Sequence, residues 1–534
     1  MKPEHKGSIL SRVIFALSLG ILVLYPGRGL ARLEEDWVSY SDYRYIASVA
    51  VESRSVYAAT TAGIIEYDLL SRSFGPPVVS PGPVDFLAYD PFSAELWAAL
   101  SGTLYRFDPT LETWFPTAGR AGSISSLGFA RNAIWLQSSR GCQRADRFAD
   151  LWNAVPCDSL NMAGISWAGA RSGDSLRNPE YAFLSPFSVR DPALRSYEMT
   201  CLAREPILAN LWVGTWGYGL FRYNLLTREG TRFPFGLAEP NVLALIRDGE
   251  NLWFGGVRKD PTRLTGITRW NRSRGEWTHF EPLLTDGLES AEVGCIATDR
   301  SAVWFGTSRG VSRCAKSGDS FRTFKAGGGL IGDQITALLS LEDTLWIGTD
   351  VGLQRMVKST GKIETVQEPN VHRLQINALS AQDSMLWVCT SRGIFRLNRT
   401  RPGGSVLKSD DGSLDSEVKA VVLDSSKVWC LVPRGLVAYD PKQNTFDRYL
   451  APHFFYNRGA LTCLADGGSY LWLGSESGAI RFEKKTKRWR TYTTSDGLLD
   501  NRVQTILLDG DYVWFGTPKG ATRFHWRSPR GIEP

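Results

Sequence analysis

Trp304-Phe-Gly-Thr-Ser-Arg-Gly310 is a short stretch that returns, with variations, eleven times along this chain of 534 residues. Each copy centres on one aromatic residue, and these are Tyr57, Trp97, Trp135, Trp212, Trp253, Trp304, Trp346, Trp387, Trp429, Trp472 and Trp514. A glycine follows in every copy, at Gly63, Gly102, Gly141, Gly219, Gly266, Gly310, Gly352, Gly393, Gly435, Gly478 and Gly520. Most copies begin 38 to 43 residues after the previous one. Such a period is typical of a β-propeller.

Four short segments can be aligned in most copies. They are an apolar run such as Gln334–Ser340, the tryptophan segment, a segment after the shared glycine such as Gly393–Leu397, and a segment with two aromatic residues three apart, such as Trp489 and Tyr492. Each is four to eight residues long and is bounded by turn-forming residues. We therefore predict an all-β fold of about 11–12 four-stranded antiparallel blades. A ring usually holds four to eight blades, so two adjacent propellers are expected.

The recurring residues have structural reasons. A tryptophan can fill the gap between stacked blades, and the glycine two residues later, as in Gly306 and Gly474, lets a neighbouring blade approach closely. The last unit ends after its third strand, and Trp37-Val-Ser-Tyr40 matches the missing fourth strand, Trp489-Arg-Thr-Tyr492. We therefore expect the N-terminal strand to close the last blade, with the chain leaving one ring, building the other and returning.

Two irregular spacings mark the domain boundaries. The gap of 77 residues between Trp135 and Trp212 leaves residues 158–200 as either an insertion or a degenerate blade. The gap between Trp253 and Trp304 is 51 residues, because the hairpin at 257–266 is long. The expected organisation is a signal peptide (1–31), blades 1–3 (32–157), the 158–200 segment, further blades up to the C-terminal closure (201–526) and a tail (527–534).

The first 31 residues predict export. Basic residues precede the thirteen-residue apolar stretch Val13–Tyr25, and Gly29 and Ala31 supply a cleavage site for a Sec-type signal peptide; an uncleaved N-terminal anchor is the alternative. A lipoprotein would need a cysteine near that site, and none is there. We expect a periplasmic or secreted bacterial protein with no stable membrane insertion after cleavage. Removing residues 1–31 takes away four basic side chains and Glu4, so the net charge falls from +6 to +3, which does not favour nucleic acid as a partner.

The eight cysteines do not predict a disulfide framework. Cys201, Cys295 and Cys463 occupy one position of the repeat where other copies have alanine, which predicts small apolar core residues. Cys142 and Cys157 are close enough in sequence to form a bridge. The cysteines show no paired spacing for a metal site, and no metal or other cofactor is expected.

Leu345-Trp-Ile-Gly-Thr-Asp-Val-Gly-Leu353 and its counterparts at 303–311 and 513–521 resemble the two-component regulator propeller repeat. That family supplies extracytoplasmic sensor regions of hybrid histidine kinases, commonly as paired seven-bladed propellers. The resemblance covers nearly the whole chain after the signal peptide. It implies a sensor-like role without the kinase, and it transfers no catalytic residue, because the repeat residues in the family are structural.

Candidate binding residues lie in the turns between the second and third strands. The residue before the turn glycine is basic in five units, at Arg140, Arg309, Arg392, Arg434 and Lys519. On one rim around a central opening, these side chains would suit carboxylate, phosphate or sulfate groups; solvated turn residues are the alternative. Trp216 and Tyr218 occupy the same turn of another unit and would stack on a sugar ring if exposed, or else pack against the 158–197 segment.

No catalytic residue is identified, because the four histidines after the signal peptide do not repeat and form no metal spacing. We expect a non-catalytic binding module for a small anionic or carbohydrate ligand, or for a membrane-bound signalling or envelope protein. A protein–protein scaffold or adhesion propeller is the alternative. A propeller lyase or glycoside hydrolase would draw its acid and base from distant blades, which spacing along the chain does not exclude.

Overall fold

The computed structural model describes residues 37–78, 80, 82–109, 111, 113–120, 122–147, 151–157, 165–168, 179–260, 262–368, 371–400, 403–433, 435–449 and 459–527. Within these residues the chain forms eleven antiparallel sheets, and three 3₁₀ turns at Pro179–Leu184, Ala326–Gly328 and Thr494–Asp496 are its helical segments. The predicted all-β propeller fold is confirmed. The sheets are numbered as blades 1 to 11 in the order of their second strands. The expected signal peptide lies outside the described residues.

Blades 1 to 4 consist of the following strands: Ile46–Val51, Ser55–Thr60, Gly63–Asp68 and Ser73–Phe74 in blade 1; Phe86–Asp90, Glu95–Leu100, Thr103–Asp108 and Thr113–Arg120 in blade 2; Ile124–Phe129, Ala133–Ser138, Gly141–Asp146 and Trp152–Val155 in blade 3; Ser196–Arg204, Asn210–Thr215, Leu220–Asn224 and Gly230–Phe233 in blade 4. Two short strands extend blades 3 and 4: Ser166–Ala168 pairs with the first strand of blade 3, and Ser188–Arg190 pairs with the first strand of blade 4.

Blades 5 to 8 consist of the following strands: Val242–Asp248, Asn251–Gly256, Ile267–Asn271 and Glu276–Phe280 in blade 5; Val293–Thr298, Ala302–Thr307, Gly310–Ala315 and Phe321–Phe324 in blade 6; Ile335–Leu341, Thr344–Thr349, Gly352–Val357 and Lys362–Thr365 in blade 7; Ile376–Gln382, Met385–Thr390, Gly393–Asn398 and Gly404–Leu407 in blade 8. Blades 9 to 11 consist of the following strands: Ala420–Leu423, Val428–Val432, Gly435–Asp440 and Thr445–Tyr449 in blade 9; Leu461–Asp466, Tyr470–Ser475, Gly478–Glu483 and Trp489–Tyr492 in blade 10; Thr505–Asp509, Tyr512–Thr517, Gly520–His525 and Trp37–Tyr40 in blade 11.

Blades 5 to 11 form a closed ring, in which the first strand of each blade packs against the first strand of the next. Blade 11 packs on blade 5 to complete it: a Cβ added to Gly516 would lie 2.9 Å from Cγ1 of Val242. Gln504 Nε2 also donates to the carbonyl oxygen of Val242 at 3.0 Å. In the other unit, blade 4 packs on blade 1, blade 1 on blade 2, and blade 2 on blade 3. The described residues therefore form a seven-bladed ring and a four-bladed unit, in agreement with the prediction of about 11–12 blades in two adjacent propellers.

The N-terminal strand closes blade 11, as the sequence predicted. Trp37–Tyr40 pairs antiparallel with the third strand of that blade, with Trp37 opposite Phe524 and Tyr40 opposite Ala521. The Trp37 and Phe524 rings stack with centroids 4.0 Å apart. Because the fourth strand of blade 11 comes from the N-terminus and the other three come from the C-terminus, the whole four-bladed unit is inserted within the seven-bladed ring.

The two units share an aromatic core where their outer strands meet. Phe74 of blade 1 lies 4.5 Å from Phe235 between ring centroids, and Phe235 lies 5.2 Å from Trp277 of blade 5. Tyr40 of blade 11 contacts the same Trp277 ring at 5.6 Å. One hydrophobic cluster of buried residues therefore runs from the four-bladed unit into the ring, and large buried aromatic surface of this kind contributes strongly to stability.

The repeated tryptophan has a partner that the sequence analysis did not identify. In nine blades the residue opposite it on the third strand is an arginine, as in Trp304 opposite Arg313. The Arg313 guanidinium lies 5.7 Å from the centroid of the Trp304 ring, within reach of a cation–π interaction. The arginine thus covers the outer side of the tryptophan ring, and the other side of the ring packs between blades.

The glycine two residues after the tryptophan permits close blade packing, as predicted. A Cβ on Gly306 would lie 2.4 Å from Cys295 Sγ of its own blade and 2.7 Å from Cγ2 of Ile335 in the next. Cys295 faces this contact as a small core residue, and burial raises the pKa of its thiol to about 12. The position that alternates cysteine with alanine therefore serves packing between blades.

Replacing Gly306 by alanine is expected to destabilise the protein by about 1–3 kcal/mol, because overpacking forces both neighbours to move. The matched control is Gly318→Ala, since a Cβ there meets nothing within 4 Å. Urea unfolding of the two variants tests this expectation. Equal stability of the two would show that the blades have room for an extra methyl group at this contact.

Each blade has two faces. The upper face carries the turns between second and third strands and the connections between blades, whereas the lower face carries the other hairpins. On the lower face, a basic residue after the third strand of one blade reaches an aspartate near the end of the first strand of the preceding blade. These ion pairs are Arg272–Asp509 (2.5 Å), Lys316–Asp248 (2.5 Å), Lys358–Asp299 (2.9 Å) and Lys484–Asp424 (2.9 Å).

Cys142 and Cys157 form a disulfide that ties the third strand of blade 3 to the end of its fourth. The sequence had left this bridge open as a possibility. The other six cysteines are free thiols, and each is buried or half-buried.

Candidate functional site

The predicted basic turn residues do not meet at one place in the described chain. Arg140 belongs to blade 3 of the four-bladed unit, whereas Arg309, Arg392 and Lys519 belong to blades 6, 8 and 11 of the ring. These four side chains are exposed. Arg434 lies outside the described residues. The four described residues therefore do not share a single rim, because Arg140 belongs to the four-bladed unit and the other three belong to the ring.

The local sequence explains why these side chains point into solvent. In blade 6, Thr307 Oγ1 donates to the carbonyl of Gly310 at 2.9 Å and accepts from the backbone N–H of Arg309 at 3.1 Å. The equivalent bonds recur around Thr390 in blade 8 and Thr517 in blade 11. The threonine and the positive-φ glycine fix a tight turn, so the basic residue between them projects outward. Lys519 pairs with Asp500 at 3.1 Å, as an ordinary surface residue does.

Trp216 occupies a different setting, at the junction between the two units. Its turn is held by the segment that links the N-terminal strand to blade 1: the N–H groups of Gly217 and Gly219 both donate to the carbonyl of Arg44 at 3.0 Å. Trp216 also forms a β-bridge with Tyr45. Its side chain is 49% exposed, and its ring meets the Tyr45 ring edge-to-face at 5.4 Å. The junction therefore presents a fixed aromatic pair to solvent.

A cation from the seven-bladed ring joins this aromatic pair. Arg263 lies in the long hairpin between Asn251–Gly256 and Ile267–Asn271 of blade 5, and its guanidinium lies 4.6 Å from the centroid of the Tyr45 ring. Asp260 orients the hairpin by accepting from Thr262 Oγ1 at 2.6 Å, and it lies 3.5 Å from Arg263. We call Trp216, Tyr45 and Arg263 the junction site. It combines a flat aromatic surface with an exposed guanidinium donor.

Tyr218 is not part of this surface, because it packs against the 158–197 segment, which is the alternative that the sequence left open. It is buried, stacks on Tyr197 at 4.7 Å between ring centroids, and is covered by the guanidinium of Arg232 at 4.0 Å. Two positive-φ glycines flank it and turn the backbone, so that Trp216 points to solvent while Tyr218 points to the core.

A buried ion pair in the linker lies next to the junction site. The side chains of Arg44 and Asp42 are both buried, and the Arg44 guanidinium donates to both carboxylate oxygens of Asp42, at 2.8 and 2.9 Å. Arg44 also donates to the carbonyls of Ala238 and Leu264, at 2.8 and 3.1 Å. Burial alone would lower the pKa of Arg44, but the adjacent Asp42 outweighs it, so the pKa of Arg44 is raised. One guanidinium thus ties the linker to two segments next to blade 5.

Further charged groups lie in the same region. Arg195 of the four-bladed unit donates to Asp191 at 2.5 Å and to Glu281, next to blade 5, at 2.7 Å. His279 bonds the carbonyl of Gly236 through Nε2 at 2.9 Å, and burial lowers its pKa to about 3. His279 is therefore neutral near pH 7, and it has the role of a structural hydrogen-bonding residue in the junction.

Sequence reasoning identified Trp216 but missed Tyr45, Arg44 and Arg263. One signal could have located Arg263: the 51-residue spacing of blade 5 arises from a hairpin rich in basic residues. No such signal existed for Tyr45 and Arg44, because they lie in the linker after the N-terminal strand, outside the repeat. Among the described residues there is no cluster of three or more potential metal ligands and no helix long and apolar enough to span a membrane.

No family model matches the chain, and no curated protein matches it either. Solved structures with similar folds include the extracellular domain of a one component system from B. thetaiotaomicron, with 15% identity, a TM-score of 0.45 and coverage of 90% of this chain and 75% of that one. The extracellular domain of a hybrid two component system from the same organism has 17% identity and a TM-score of 0.45, with coverage of 89% and 60%. This chain thus spans three fifths of the length of that domain.

PorZ, a surface component of the type-IX secretion system of Porphyromonas gingivalis, aligns with a TM-score of 0.54 at 11% identity, with coverage of 92% of this chain and 87% of that one. At identities this low, the similarity shows a shared fold and not a shared activity. At that level the expectation drawn from the repeats is confirmed: this protein has a β-propeller fold.

Proposed function

We propose that this protein is an exported, non-catalytic propeller that binds an acidic carbohydrate at the junction site. The observation that carries the proposal is the half-exposed Trp216 ring, fixed beside Tyr45 and the Arg263 guanidinium. A flat aromatic ring packs on the apolar face of a sugar. A guanidinium pairs with a carboxylate or sulfate group through parallel hydrogen bonds.

The junction is suited to a sensor role because it belongs to both units. Trp216 comes from blade 4, Tyr45 from the linker and Arg263 from blade 5. A ligand that contacts all three would favour one relative placement of the units, since it binds that placement more tightly than others. We propose that this placement is recognised by a membrane-bound signalling or envelope protein.

Export is supported by two independent features. The Cys142–Cys157 disulfide fits an oxidising compartment outside the cytoplasm. The N-terminal sequence has the order of a Sec-type signal peptide. We propose a periplasmic or secreted location on these grounds.

Calorimetric titration of the purified protein with oligogalacturonates and with neutral galacto-oligosaccharides tests the proposal. We expect the acidic ligand to bind more tightly, and Trp216→Ala to weaken its binding by about tenfold or more, since burying a large apolar side chain contributes about 1.5–3 kcal/mol. Arg263→Gln should weaken the acidic ligand while leaving the neutral one unchanged. The matched control is Trp167→Ala, which removes another exposed tryptophan, on blade 3.

Two results would contradict the proposal. Unchanged affinity in the Trp216→Ala protein would remove the junction site as the place of binding. Release of cleaved sugar during the titration would show that the protein is an enzyme and that the non-catalytic assignment is wrong. Melting temperatures should stay close to that of the unaltered protein, because both side chains are exposed.

A further inference from the structure

Two lower-face turns of the four-bladed unit share one sequence pattern. The turn after the third strand of blade 1 reads Asp68-Leu-Leu-Ser-Arg72, and the equivalent turn of blade 4 reads Asn224-Leu-Leu-Thr-Arg228. The geometry is also shared. Asp68 Oδ1 accepts the N–H groups of residues 70 and 71 at 2.8 and 2.9 Å, and Asn224 Oδ1 accepts those of residues 226 and 227 at 2.8 and 3.0 Å. Each turn therefore holds its second leucine at the tip, away from the core.

The seven-bladed ring uses polar residues at this tip position. The residue two after the end of the third strand is Ser273, Ser317, Ser359, Thr400, Lys442, Lys485 or Arg527 in blades 5 to 11. The backbone turn does not require leucine, since Thr400 and Lys442 are held by the same kind of bond, to Asn398 and Asp440. The leucines in blades 1 and 4 therefore need another reason.

Two further aliphatic side chains lie beside them. Ile207 and Leu208 form the tip of the hairpin between the first two strands of blade 4, and a bond from the N–H of Leu225 to the carbonyl of Ala209 (2.8 Å) joins this hairpin to the Leu226 turn. Exposed fractions are 75% for Leu70, 74% for Ile207, 57% for Leu208 and 81% for Leu226. We call these four residues the aliphatic tips.

Blade packing brings Leu70 next to the tips of blade 4. A Cβ on Gly214 of blade 4 would lie 2.6 Å from Cγ2 of Ile46, which places blade 1 directly after blade 4. Leu69 occupies the position at which Lys316, Lys358 and Lys484 of the ring reach the end of the first strand of the preceding blade. Leu69 packs against the same hydrophobic cluster as Ala203 from the first strand of blade 4. The aliphatic tips thus belong to the boundary between blades 4 and 1. At the equivalent boundaries of the ring, ion pairs take this place.

We infer that the aliphatic tips dock this protein on the surface of a lipid bilayer. They are leucine and isoleucine side chains on three separate turns, and leucine is under-represented among the residues that dominate protein–protein affinity. Apolar side chains of this kind enter the boundary between headgroups and acyl chains, and basic residues beside them contact anionic headgroups. Arg72 and Arg228 end the two leucine turns and are exposed.

The lower faces of the two units are neighbours at the junction, where a Cβ on Gly275 of blade 5 would lie 3.4 Å from Ser73 Cβ of blade 1. Docking does not involve Trp216, so the proposed carbohydrate binding can fail while docking holds.

Flotation of the purified protein with phosphatidylcholine vesicles, with and without phosphatidylglycerol, tests the inference. We expect binding to both, stronger with phosphatidylglycerol. The variant Leu70→Ser, Ile207→Ser, Leu208→Ser, Leu226→Ser should lose about tenfold or more of its partition into either vesicle, because apolar burial drives the contact. Replacing Arg72 and Arg228 by glutamine should remove the preference for phosphatidylglycerol. The single variants Leu226→Ser and Leu283→Ser form a matched comparison. Leu283 is 76% exposed but lies in the upper-face connection after blade 5, so its replacement should not change the partition.

Circular dichroism melting should show the fourfold variant to be folded, because all four side chains are exposed. The inference is overturned if the unaltered protein stays with the unbound fraction, or if the fourfold variant floats as well as the unaltered protein. It is also overturned if light scattering finds a dimer that the fourfold variant loses, because the occupant of the tips would then be a second copy of the chain.

Discussion

Replacing Trp37 by alanine is expected to destabilise the seven-bladed ring by about 3–5 kcal/mol, the range for truncating a buried tryptophan. Trp37 is buried, and its ring contacts Phe524 at 4.0 Å, Tyr492 at 6.0 Å and Phe515 at 6.2 Å between centroids. It therefore fills the space between blades 10 and 11 as well as belonging to the closing strand. Its loss would leave a cavity and remove the largest side chain by which the closing strand packs on blade 11.

Chemical denaturation with hydrogen exchange measures this effect. Faster exchange should appear first at the amides of residues 521–524, which pair with the closing strand. The control is Trp167→Ala, since Trp167 is half-exposed on a three-residue strand, and that change should cost little. A Trp37→Ala protein as stable as the control would mean that the ring does not depend on its N-terminal strand.

The second large effect is expected from Arg44→Met. This change would leave the carboxylate of Asp42 buried without its charged partner and would remove the donors to the Ala238 and Leu264 carbonyls. Breaking a buried pair from one side costs about 3–5 kcal/mol, because the remaining charge loses its compensation. Because these bonds join the linker to segments beside blade 5, the loss should also loosen the junction between the two units.

Thermal unfolding followed by scanning calorimetry measures this loss. The double variant Asp42→Asn, Arg44→Met should recover part of the stability, since no buried charge is left unpaired. The surface pair Arg274–Glu276, at 3.8 Å and largely exposed, provides the control, because Arg274→Ala should change stability by about 0.5 kcal/mol or less. If Arg44→Met were as mild as that control, the buried pair would not hold the junction.

Much of the fold could be predicted from the sequence, because the repeat imposes the same physical demand eleven times. The tryptophan, the glycine two residues later and the turn glycine each respond to packing within or between blades, so their spacing reports the architecture directly. The closing strand was predictable for the same reason, since Trp37-Val-Ser-Tyr40 follows the pattern of a fourth strand. The arginine opposite the tryptophan recurs as regularly, but its role depends on strand register, which spacing alone does not reveal.

The candidate site could be predicted only in part, because it is built where the repeat is interrupted. Tyr45 and Arg44 lie in a linker, and Arg263 lies in a hairpin longer than its counterparts, so no periodic signal connects them with Trp216. The basic turn residues followed the repeat faithfully, but a shared position in the repeat places them on different blades of two different units. Tyr218 shows the same limit at close range: two residues after Trp216, the glycine-rich turn directs it into the core.

The closing strand has a consequence for how this protein matures. Ser39 and Thr522, whose hydroxyls are 2.9 Å apart, are separated by 483 positions in the chain. Contacts between such distant segments form late, because the intervening chain must be ordered first. During synthesis or translocation from the N-terminus, Trp37–Tyr40 is among the earliest segments to emerge and the last to find its partner. Until then its apolar edge is open to other strands, so a chaperone or rapid folding of the inserted four-bladed unit would protect the nascent chain from aggregation.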